Sequence, residues 1–251
     1  MKPKAENDQS LEYKYTFFKP KGDQTIEFNV GLTLPGLDLI RTHPEPYPEW
    51  TRLNCNQCPN CPLKIEETPD CPVAVSLLEL SESFKDAISH EMVEVTIETK
   101  ARTYYKKIAL QRGISALAGI YMVSSGCPVF GKLKPMLRHH LPFADLEETS
   151  YRVVSMYLLA QYFRFKEGQT PDWDLKELFA LYEDIRVVNR SLCERLRNIK
   201  LQDALPNAII ILNSYADDLT FALQQKEIKR IKTLFQDYLG EEKKTQSVID
   251  P

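Results

Sequence analysis

The sequence predicts an α+β fold that is mostly α: a small three-stranded antiparallel sheet, a cysteine-rich extended segment, then a bundle of five or six helices. Three observations carry this. Strictly alternating apolar segments occur near the N-terminus and again at Val93–Thr99. Half of the sixteen prolines and four of the six cysteines fall between Leu34 and Pro72. From Thr103 onward, apolar residues recur at helical spacing. Only nine glycines in 251 residues argue against a repetitive all-β design.

In chain order, residues 1–10 are polar and are expected to fray. Leu11–Phe17 places Tyr13, Tyr15 and Phe17 on one face, and Thr25–Val30 does the same with Ile26, Phe28 and Val30. The Gly-Asp between them reads as a hairpin turn. The proline-rich stretch after Leu34 is too long for a structureless loop in a compact domain, so something must hold it. Val73–Ile88 reads as a helix, and Val93–Thr99 as a third strand beside the hairpin, giving a sheet over about 11–31 and 92–99. Tyr104–Ser125 reads as one helix whose small residues, Gly113 and Gly119 among them, admit a close neighbour. Pro128 stands where a second helix can begin. Asp145-x-x-Glu148 resembles a capping box ahead of Tyr151–Phe165, whose scarcity of polar positions predicts the most buried helix. Pro171-Asp172 opens a helix to about Ile199, Asp203 and Pro206 start the next, and Lys226–Leu239 continues it to a C-cap at Gly240. The expected organisation is therefore 1–102 as the sheet with its cysteine-rich segment (53–72), 103–240 as a helical bundle packed on it in one compact unit, and 241–251 as a disordered tail.

The net charge of −3 provides no basic field for nucleic acid or anionic lipid. MKPKAENDQS has no apolar core for a secretory signal. Ile114–Val123 is the longest apolar run and falls short of a membrane span. The expectation is a cytoplasmic protein that meets neither nucleic acid nor membrane, in surroundings where clustered cysteines more often mean metal than disulfide.

Several stretches are distinctive: QCPNCPL (57–63), SGCP (125–128), LKPM (133–136), HLPFA (140–144), EET (147–149), SMYLLAQYF (155–163) and PDW (171–173). On these the chain resembles an uncharacterised bacterial protein family, over about Thr51 to Trp173. The resemblance implies a bacterial protein of unassigned function and supplies no catalytic residue, cofactor or partner.

The chemistry therefore rests on the residues. Cys55, Cys58, Cys61 and Cys71, spaced x2, x2 and x9, can converge on one metal. Tetrahedral zinc accepts four thiolates, usually from two separate knuckles. Three ligands from one tight loop also suit an iron–sulfur cluster with a distant Cys-Pro as the fourth. A structural zinc is the leading reading, with the protein acting as a binding protein for another protein; an iron–sulfur redox or sensor protein is the alternative. The plainer alternatives are a disulfide pair or reduced structural thiols. A second alternative is a thiol enzyme or anion site at Cys127: at the N-cap of a helix begun by Pro128, its thiolate would be favoured, with Arg138, His139 and His140 within reach. Against it stands a small buried cysteine at a tight turn. Asp217-Asp218 with Asn213, the lone Cys193 and the basic run Lys226–Lys232 read as surface. No Gly-rich phosphate loop, G-x-S-x-G or H-E-x-x-H is present, so the balance leans away from an enzyme.

Overall fold

The expected hairpin forms. In the computed structural model, which describes residues 10–40 and 45–240, β1 (Ser10–Lys19) and β2 (Gln24–Thr33) pair antiparallel without a break from Ser10↔Thr33 to Lys19↔Gln24. Asp23 makes the turn with φ 47°, a left-handed conformation that Asp tolerates. Tyr13, Tyr15, Phe17, Phe28 and Val30 all point into the core, as alternation requires. β3 (Met92–Glu98) pairs with the other side of β1, also as expected.

The sheet has four strands rather than three, in the order β2-β1-β3-β4. β4 (Thr103–Ala109) occupies the first quarter of what reads as one helix from Tyr104 to Ser125. It is an edge strand of which only Ile108 is buried, while Lys106 and Lys107 face solvent, so alternation is nearly absent. Charged residues on an open edge discourage pairing with other chains and also hide the strand from pattern reading.

Val73–Ile88 is likewise not one helix but two short ones, α1 (Pro72–Ser76) and α2 (Leu78–Ser83), separated at Leu77, and Ile88 lies exposed beyond them. The central helix is α3 (Leu110–Ser124), with eleven of its fifteen residues buried. It crosses the sheet at Gly113, where a Cβ would lie 2.8 Å from the Phe17 ring and 3.0 Å from Val95. Beneath it Phe17, Phe28 and Phe84 form a ring cluster with centroids 5.3–5.8 Å apart.

Four helices follow: α4 (Lys134–Arg138), which begins later than Pro128, then α5 (Leu146–Lys166), α6 (Lys176–Leu196) and α7 (Ala204–Ala222) near the expected places, α7 packing on both α3 and α6. A π turn over Leu223–Glu227 leads to α8 (Ile228–Thr233) and α9 (Gln236–Leu239), which stops at Gly240 with φ 67°. The Asp145–Glu148 capping box is present, its two reciprocal bonds each 2.9 Å long. The expectation that α5 is the most buried helix is overturned: five of its twenty-one residues are buried. Gln161 is 3% exposed, whereas Leu159 and Phe163 are each 54% exposed. A helix apolar around its circumference can be a core element or can leave an apolar outer face, and composition does not choose between them. The fraying expected over residues 1–10 falls outside the described residues except at Ser10, which is in β1, and the tail expected over 241–251 falls wholly outside them.

Candidate metal centre

The cysteine-rich segment lies along one face of α6. Asp184, Ser191 and Arg195 sit at spacings of seven and four, and Asn198 follows three residues on, just past the helix end; this repeat brings them to one side. Asn60 donates through Nδ2 to the Asp184 carbonyl and carboxylate at 3.1 and 3.0 Å. Ser191 hydrogen-bonds the Cys58 thiol. Arg195, only 2% exposed, donates to the carbonyls of Trp50 (2.8 Å) and Arg52 (2.6 Å) and more weakly to that of Leu53 (3.4 Å). Asn198 donates to Asn56 Oδ1 at 2.7 Å and lies 3.7 Å from the Cys55 sulfur. The two arms of the cysteine loop are joined at their base. Leu53 N donates to the Pro69 carbonyl at 2.8 Å and Cys71 N to the Thr51 carbonyl at 2.7 Å, around an Arg52↔Asp70 bridge.

Within the loop, Cys61 N donates to the Cys58 carbonyl at 3.0 Å, closing a tight Cys-Pro-Asn-Cys turn. Cys71 occupies the N-cap position of α1, with Pro72 as its first residue. The turn that follows α3 abuts this point: a Cβ on Gly126 would lie 4.0 Å from that of Pro72, and Gly126 itself has φ 98°. Cys127 is the next residue and is buried. Burial pushes the Cys58 thiol up to about 11; the Ser191 hydrogen bond opposes this, and negative charge on Cys71, Cys61 and Cys127 adds to it. Burial also raises Cys127, against backbone N–H groups of Phe130 and Val129 that face its sulfur. Three other sulfurs are thus within electrostatic reach of Cys58. All six cysteines are free thiols. Among the described residues, no three His, Cys, Asp or Glu side chains are closed into a metal-binding arrangement as they stand.

The second set of candidates separates. Pro128 does not begin a helix: a turn leads into a short 3-10 segment, Phe130–Leu133, and α4 starts only at Lys134. Cys127 is therefore not a helix N-cap. Arg138, His139 and His140 line a cleft of about 1090 Å³ at the end of the sheet, together with Lys14, Arg102 and Arg152, and Cys127 is not in its wall. The His140 ring is enclosed, while the residue as a whole is half-buried. Its Nε2 pairs with the Tyr15 hydroxyl at 2.8 Å and Tyr13 packs edge-on. Burial, helped by the Arg152 charge, lowers its pKa to about 3, so the ring is neutral. Arg138 and His139 are exposed, and the His139 carbonyl accepts from Arg152. Asp217 forms an ion pair with Arg186, joining α7 to α6, and accepts from Asn213. Burial raises the Cys193 thiol, which sits half-buried on α6.

Sequence reading missed the platform on α6. Its signal was present, an Asp-Ser-Arg-Asn stripe at helical spacing, but such a stripe reads as a solvated face. The distinctive stretches turn out to join elements. Asp172 of PDW accepts from Tyr157 Oη and from Glu177 N, both at 2.7 Å, and its own N–H donates to Gln161, so the SMYLLAQYF helix is fastened to the start of α6. In HLPFA, the Ala144 carbonyl accepts from Tyr215 on α7.

Fold and loop together define an α+β protein in which a cysteine-rich segment is strapped to a long helix and to the turn after the central one. The chain belongs to a family described as a domain of unknown function (DUF6901), which matches residues 11–236. No curated protein and no solved structure matches it. Among the described residues, no helix is long and apolar enough to cross a membrane.

Proposed function

We propose that this chain is a cytoplasmic binding protein whose cysteine-rich segment holds a structural metal ion, zinc in the first place, and that it acts by contact with another protein rather than by catalysis. The observation that carries this is the gathering of free cysteine thiols around Cys58, in a loop bonded to α6 at its base and tip. Thiolates are the donors that zinc prefers, and a structural zinc contributes folding energy where a core cannot. The thiols are not closed on a metal as they stand, so binding draws them together. The contact half of the reading rests on the outer face of α5, where Leu159, Tyr162, Phe163 and Phe165 are exposed beside Trp173.

An iron–sulfur cluster is the second reading, favoured by Cys-Pro at Cys58, Cys61 and Cys71. A thiol enzyme at Cys127 has less support, because burial raises that thiol and the basic residues line a different cleft. The test is elemental analysis with an absorption spectrum of protein purified without oxygen. One zinc per chain and no visible absorption is the expected result, and its removal should lower the melting temperature. Iron with a broad visible band would select the second reading. Protein that holds neither, and takes up neither when reconstituted, would refute both.

A further inference from the structure

The sequence spacing nominates Cys55, Cys58, Cys61 and Cys71, but the fold favours a different quartet. Cys55 is anchored at the far end of the platform, on Asn198, while Cys58 is anchored at Ser191. Ser191 lies within α6 and Asn198 past its end, so Cys55 and Cys58 are held by different partners at different points of the platform. Cys127 comes from a different element, the turn after α3. The Gly126–Pro72 approach brings the turn that carries Cys127 against the start of α1, where Cys71 is the N-cap, although the two cysteines are far apart in sequence. Backbone N–H groups of Val129 and Phe130 face the Cys127 sulfur.

A second, independent observation selects the same four. Cys58, Cys61, Cys71 and Cys127 are each followed by proline, at Pro59, Pro62, Pro72 and Pro128, whereas Cys55 precedes Asn56 and Cys193 precedes Glu194. Proline after a cysteine locks φ and removes the next backbone donor, which stiffens the turn that presents the sulfur. We propose that the metal is held by Cys58, Cys61, Cys71 and Cys127, with Cys55 outside the coordination sphere. This rests on the metal-binding reading above and deepens it. The centre then joins three elements: the Cys-Pro-Asn-Cys turn, the start of α1 and the turn after α3.

The test uses the full chain, stripped of metal and titrated with cobalt(II) in the absence of oxygen. Wild type and Cys55→Ser should both bind one cobalt with the intense visible bands of a tetrathiolate site. Cys127→Ser should lose those bands and bind more weakly by more than the roughly 10–100-fold of an outer-shell change. Should Cys127→Ser fail to fold, alkylation of wild type with and without zinc gives the same answer. Zinc should protect Cys58, Cys61, Cys71 and Cys127 and leave Cys55 as reactive as in the metal-free protein. Loss of the bands in Cys55→Ser but not Cys127→Ser, or protection of Cys55 in place of Cys127, would overturn the quartet and leave the metal-binding reading standing. Wild type that takes up neither cobalt nor zinc, nor iron with sulfide, would refute the reading itself, and the quartet with it.

Discussion

Arg195 offers the sharpest test of how the cysteine segment is held. Its guanidinium is buried, and among the described residues its partners are backbone carbonyls rather than a carboxylate. Arg195→Met preserves most of the volume and removes the fork. Two short bonds, at 2.8 and 2.6 Å, are lost outright, and the third, at 3.4 Å, is marginal. Hydrogen bonds from a charged donor contribute about 1.5–3 kcal/mol each, and a buried carbonyl left unpaired costs about 1–3 kcal/mol. Relief of the guanidinium's own desolvation offsets part of this. The expected loss is about 3–5 kcal/mol, read as a shifted urea midpoint at unchanged slope, and insensitive to salt because no ion pair is broken. Arg195→Lys restores the charge but not the fork, and should remain destabilised by more than about 1 kcal/mol. A loss below about 1 kcal/mol in Arg195→Met, or a Lys variant equal to wild type, would refute the argument that three carbonyls need this side chain.

Gly113→Ala should destabilise by about 1–3 kcal/mol, because the added methyl meets the Phe17 ring at 2.8 Å in a fully buried place; a neutral result in thermal unfolding would mean that α3 and the sheet separate freely there. His140 ties stability to pH. Its folded pKa of about 3 lies below the unfolded value near 6.5, so stability is fully present above about pH 6.5 and is lost as pH falls towards 3, at up to about 1.4 kcal/mol per unit. The difference in unfolding free energy between wild type and His140→Gln should shrink over that window, and a difference independent of pH would show that the ring is not held neutral. Leu159→Ala, on the exposed face of α5, should change stability by less than about 0.5 kcal/mol, whereas Leu178→Ala on α6 should cost about 2–5 kcal/mol; denaturant titration of the pair checks which helix is in the core.

Local chemistry was legible in the sequence wherever one interaction decides it. The Tyr13–Phe17 and Ile26–Val30 alternation, the Asp145–Glu148 capping box and the Gly240 stop each depend on neighbours a few residues away, and each is found. What lay beyond the sequence is whatever depends on partners remote along the chain. β4 is a strand because β3 offers it a ladder, despite a pattern broken by Lys106 and Lys107. Gln161 is buried and Leu159 exposed because Asp172 and the α6 terminus cover one face of α5 and nothing described covers the other. Arg195 is a buried clamp that helical periodicity does not single out, because the carbonyls it serves lie more than 140 residues earlier. Cys127, read as a candidate nucleophile, sits buried on a turn whose Gly126 packs against Pro72 at the start of α1. Composition and period describe what a residue can do; only the packed chain decides which other residue it meets.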